Sequence, residues 1–170
     1  SSMQQGMLFH SISHRRADLY FKQLSWAVSG ALDVICYQKA WEDVVARHPI
    51  LRTAFVWEAA EGPLQVVHQK VRVPFEQLDL RALPPEAQER DVRRFLDADR
   101  ERGFDLSKAP LMRLALIRLG DESYRAVWSH HHLIMDGWSL PLVFKEVFAL
   151  YHAHTQGKEV RLPHLRPFGD

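Results

Sequence analysis

The sequence predicts an α/β (α+β) domain whose mixed β-sheet packs against helices. Three observations carry this. Segments of helical and of strand period alternate irregularly rather than in a strict βαβ rhythm. Gly62-Pro63 and Asp121-Glu122 sit between strand-like runs as hairpin turns. With 170 residues, 46% of them hydrophobic, the chain can bury roughly 70% of its unfolded surface.

The elements follow in order. Met3 to Ser11 reads as a short helix, and Leu19 to Val28 alternates as a strand closed by Ser29-Gly30. Asp33 to Arg47 has helical period, with Ile35, Trp41, Val44 and Val45 as its buried face, and His48-Pro49 stops it. Leu51 to Glu58 and Leu64 to His68 read as a hairpin, and Phe75 to Leu80 as a further strand. Pro84-Pro85 opens a helix through about Arg102 that Gly103 ends. Leu111 to Leu119 and Ser123 to His131 form a second hairpin. Trp138 to Tyr151 is an amphipathic helix, and residues 158–170 read as a linker after a lobe spanning 1–157.

Composition excludes several functions. A net charge of +1 is not that of a nucleic-acid platform. The arginines between Arg90 and Arg102 alternate with Asp91, Asp97, Asp99 and Glu101, which describes a solvated helix face. Cys36 is the single cysteine; it forms no internal disulfide, fits a reducing cytoplasm, and reads as a small buried hydrophobe. No apolar run is long enough to span a bilayer. Trp26, Trp41, Trp57 and Trp128 read as core aromatics. His10 and His14 read as structural or surface groups. His48, His152 and His154 sit at helix ends, where a cation is favoured.

Chemistry concentrates at His131-His132-Leu133-Ile134-Met135-Asp136-Gly137, an HHxxxDG run. It sits at a strand end, on a loop, before a helix, where reactive side chains are commonly presented. Imidazole exchanges protons near neutral pH. If the strand continues, His130 and His132 share one face and His131 takes the other. Metal binding through His130 and His132 is the competing reading, although zinc sites usually recruit three or four ligands. Asp136 caps the following helix or holds the loop. Gly137 either relieves a turn or lets substrate approach the backbone.

The run does not stand alone. Ser2-Met3-Gln4-Gln5-Gly6-Met7-Leu8-Phe9-His10, Arg47-His48-Pro49-Ile50-Leu51-Arg52-Thr53-Ala54-Phe55 and His131 to Ser139 resemble, in order and spacing, three signature segments of the condensation domains of nonribosomal peptide synthetases. The first segment departs from the family in having Ser2 where proline is usual, and Gly169 replaces an expected charge. The Met-Gln-Gln-Gly-Met-Leu-Phe-His form, together with Leu133-Ile134-Met135 before Asp136, resembles the subtype that accepts a D-configured donor.

The resemblance covers the amino-terminal half of such a domain. It implies one lobe of the chloramphenicol acetyltransferase-like fold, with a carboxy-terminal lobe beyond it. It implies acyl transfer from a carrier-bound thioester to a carrier-bound amine, both on phosphopantetheine arms, with no directly bound cofactor and no metal. Partners would be donor and acceptor peptidyl carrier domains, the other lobe and a neighbouring adenylation domain, but neither nucleic acid nor membrane. His132 would be the catalytic histidine, as base or positioning group, with His131 beside it and Gly137 bordering the intermediate. Asp136 would pair with Arg52, or with Arg47. A lobe alone would be inactive. Rival readings are a coenzyme A-dependent acyltransferase of the same fold and a non-catalytic carrier-docking lobe.

Overall fold

The computed structural model describes residues 20–56, 62, 64–137, 139–160 and 162–163. Its elements are β1 (Phe21–Ser29), α1 (Val34–Arg47), a 3-10 turn (Pro49–Arg52), β2 (Thr53–Val56), β3 (Leu64–Val67), β4 (Phe75–Asp79), α2 (Pro85–Arg102), β5 (Met112–Gly120), β6 (Ser123–His131) and α3 (Leu140–Thr155). The expected helix at Met3 to Ser11, Trp57, His10 and His14 lie outside the described residues, as does most of the expected linker.

One sheet has the order β1-β6-β5-β4. β6 pairs antiparallel with both β1 and β5, while β4 and β5 run parallel. The sheet is therefore mixed, as its sequence pattern predicts, and α2 makes the crossover that a parallel pair requires. β2 and β3 form a separate hairpin.

Helices cover both faces. On one, Trp41, Val44 and Val45 of α1 and Val143 and Val147 of α3 pack with Trp128 and Leu114. On the other, Val92 of α2 packs with Ala115, Ile117 and Val127. Trp41 and Trp128 are fully buried with ring centroids 4.8 Å apart, and Phe144 meets both edge-on. Such aromatic pairs add to their burial a quadrupolar attraction.

Local chemistry sets the boundaries. The Asp33 carboxylate accepts the Cys36 N–H at 2.9 Å and caps α1. Gly103, at φ +55°, closes α2. α1 and α3 are joined by two histidine–carboxylate contacts, His48 to Glu146 at 2.6 Å and His154 to Asp43 at 2.7 Å.

Three expectations fail here. Ile35 is 81% exposed, because α1 turns Tyr37, Ala40, Trp41, Val44 and Val45 inward and residue 35 falls off that stripe. Cys36 is only half-buried, beside the cap. Leu51 opens no strand but lies buried in the 3-10 turn that proline starts.

Candidate active site

β6 delivers the histidines, and its neighbours hold its end. The His131 N–H donates to the Leu111 carbonyl at 2.9 Å, and the His132 N–H to the Tyr20 carbonyl at 2.8 Å. The strand stops at His131. Leu133, Ile134 and Met135 then sink into the core, seating the loop while His132 stays partly exposed. The three variable positions of the HHxxxDG run are thus anchors that seat the loop in the core.

The adjacent histidines differ sharply. His131 is buried, and its Nδ1 accepts the Leu133 N–H at 3.2 Å. Burial, with His132 beside it, pushes its imidazole down to about 4. His130 is buried against Trp128, and burial, followed by the charges of His132, His131 and Lys22, likewise pushes it to about 4. Both rings are neutral at cellular pH. His132 Nδ1 lies 2.8 Å from the Met135 carbonyl oxygen. A carbonyl only accepts, so Nδ1 carries the proton and the lone pair of the neutral ring is on Nε2. That tautomer can take a proton from a bound group.

Asp136 Oδ1 accepts both the N–H of Ser139, at 2.9 Å, and its hydroxyl, at 2.8 Å. It ties the loop to Ser139, the N-cap residue of α3, and so holds the loop without itself capping the helix. The two candidate arginines have backbone and carboxylate partners in the structure. Arg52 donates to the carbonyls of His68 and Gln69, and Arg47 to Glu146 and the Pro163 carbonyl. Arg52 is the last residue of the 3-10 turn, so the backbone just beyond β3 captures its guanidinium. Gly137 has no positive φ, and a Cβ there would meet nothing within 4 Å. Packing among the described residues thus does not demand glycine, which leaves room over the loop.

Among the described residues no group of three or more His, Cys, Asp or Glu is placed to hold a metal, and no helix is long and apolar enough to cross a membrane.

Sequence reasoning misses one buried constellation. Asp99, expected on a solvated face, is 5% exposed and meets Arg113, Ser129 and Gln23. A signal exists. Val92, Phe95, Leu96 and Asp99 follow the i, i+3, i+4, i+7 spacing of one helix face, and Arg113 interrupts an apolar strand.

The fold is shared with solved condensation domains. It superposes on the starter condensation domain of rhizomide synthetase with a TM-score of 0.84 at 20% identity, over 94% of this chain and 38% of that one. The first condensation domain of the calcium-dependent antibiotic synthetase, in complex with a substrate analogue, gives 0.84 at 23% identity, over 95% and 38%. The family model described as Condensation domain matches residues 1–170, so the chain belongs to the condensation-domain family of nonribosomal peptide synthetases. A linear gramicidin synthase protein from Brevibacillus parabrevis is 46% identical over 168 residues, covering 99% of this chain and 2% of that protein. Bacitracin synthase 1 of Bacillus licheniformis is 38% identical over 170 residues, covering 100% of this chain and 3% of that protein. The chain thus spans only 2–3% of the length of these curated relatives.

Proposed function

We propose that this chain is the amino-terminal lobe of a condensation domain and contributes His132 to peptide-bond formation. The acceptor amine, tethered by phosphopantetheine to one carrier domain, attacks the thioester carbonyl on another. The amine proton passes to Nε2 of His132, the tetrahedral intermediate collapses, and the thiolate leaves and recovers a proton. The observation that carries this is the Nδ1–H bond of His132 to the Met135 carbonyl, which leaves Nε2 as the accepting nitrogen. A positioned base is worth roughly 10²–10⁴ in rate. Asp136 holds the loop to α3. Gly137 borders the intermediate, with space above it. His131, buried and neutral, braces the turn through Leu133. The nucleophile belongs to the substrate, so no catalytic serine or cysteine is needed.

The test is single-turnover condensation between loaded carrier domains, read by intact mass spectrometry of the acceptor carrier. It compares a complete condensation domain containing this chain with its His132→Ala variant. A loss of about two orders of magnitude or more supports the reading. A variant as fast as its parent would show that His132 is not the group that moves the proton. Carrier binding without transfer by the unmodified domain would favour a docking lobe instead.

A further inference from the structure

Close to the loop lies a second buried constellation that the reaction above does not use. The strand register sets Gln23 of β1, Ser129 of β6 and Arg113 of β5 side by side on one rung. Asp99 reaches this rung from α2. Its Oδ2 accepts the Ser129 hydroxyl at 2.5 Å and the Gln23 amide at 2.8 Å. Its Oδ1 accepts Arg113 Nε, and Arg102 Nη2 at 3.1 Å. Arg113 gives its remaining donors to the Gly103 carbonyl at 2.6 Å and to the backbone carbonyl of Asp99.

Two residues further along the strands, nearer the loop, Phe21 pairs with His131. The Arg113 guanidinium lies over the rings of Phe104, at 4.3 Å, and Phe21, at 5.5 Å. One carboxylate therefore joins α2 to three strands, two residues before the first histidine of the HHxxxDG run. Burial works against charge on Asp99, yet the bonds from Ser129, Arg113 and Gln23 prevail and hold its carboxyl below the usual range.

A buried ion pair gives little net stability over apolar side chains of similar volume, because desolvation offsets the attraction. What such a network does fix is geometry. Hydrogen bonds are directional, and here they lock the shear of β6 against β1 and β5. The same three strands end at the His132–Tyr20 and His131–Leu111 contacts. We propose that Asp99, acting through Ser129, Gln23 and Arg113, is a positioning residue that sets the reach of His132 Nε2 toward the substrate amine. This rests on the acyl-transfer reading above.

The experiment compares Ser129→Val with Ser129→Thr in the complete domain. The two introduced side chains share a shape and differ by the hydroxyl that meets Asp99. The Val variant is expected to lose roughly ten- to a hundredfold in kcat with KM for the loaded carriers unchanged, while Thr stays close to the parent. Nitrogen-15 spectra of labelled histidine give an independent readout: the His132 Nδ1–H signal should broaden or shift in Val and persist in Thr. Gln23→Met, on the edge strand, removes a second bond from the same oxygen and should show the same spectral change more weakly; it serves if residue 129 tolerates no substitution. Equal kcat and identical ring spectra in Val and Thr, or in Gln23→Met and the parent, would overturn the proposal, whatever the melting temperatures do. If the unmodified domain transfers no acyl group, the functional reading fails, and the ring spectra still decide the positioning claim.

Discussion

The two faces of β6 are built on opposite principles. Tyr124, Ala126, Trp128 and His130 share one face, and Trp128 packs there edge-on in an aromatic layer with Trp41 and Phe144. Val127 and Ser129 look toward α2, where a patch of aliphatic packing ends in the Asp99–Arg113 pair. The aromatic face works mainly through apolar burial, so its contribution is stability. The ionic face is directional and costly to desolvate, so its contribution is alignment. The strand that leads into the HHxxxDG loop uses both: one face keeps it folded and the other keeps it in register.

The contrast is open to direct attack. The largest effect should come from Trp128→Ala, since the ring is fully buried. A loss of about 3–5 kcal/mol is expected in denaturant unfolding, and a loss below about 1 kcal/mol would mean that the aromatic layer is not the stabilising face. Asp99→Ala strands Arg113 in the interior and should cost a similar amount, about 3–5 kcal/mol. Replacing the pair together, Asp99→Leu with Arg113→Met, sharpens the comparison. Most of the stability should return, since neither charge is left buried alone, but the turnover rate should not. Recovery of both would assign the pair to packing alone.

Acid gives the most graded effect, spread over the whole range between pH 6.5 and 4. The unfolded chain binds protons at His130 and His131 below about 6.5, the folded chain only below about 4. Between those values the unfolded state holds more protons, so stability rises with pH. Unfolding free energy should therefore fall by about 1.4 kcal/mol per pH unit for each of these histidines from pH 6.5 down toward 4. Asp99, with its carboxyl held below the usual range, adds its own loss only at still lower pH. Denaturant midpoints across that range should show the slope, and His131→Asn should reduce it by roughly half of the histidine contribution. A flat profile would mean that the two rings are not held neutral by burial.

Much of the architecture is legible in the chain because its causes are local. Proline and glycine punctuate the elements, the Asp33 cap and the Gly103 stop sit where their chemistry requires, and alternation marks β6 to the residue. The order of strands in the sheet is not legible in this way, since β1 meets β6 across about a hundred intervening residues and period says nothing about partners. The site divides along the same line. The histidine pair is visible in sequence, but the His132 tautomer depends on where the turn places one carbonyl. The carbonyls that Arg52 meets are not legible either, since they belong to the chain leaving the β2–β3 hairpin. Asp99 is hidden by its charged neighbours, although its position on the α2 face matches that of Val92 and Leu96.

The Met135 carbonyl serves both ionisation states of the His132 ring. Neutral or cationic, the imidazole presents the same N–H to it. A proton can therefore arrive at and depart from the far nitrogen without the ring rotating or the backbone giving way. Under the proposed function the loop would act as a stationary relay, whose two states differ in charge and hardly at all in shape.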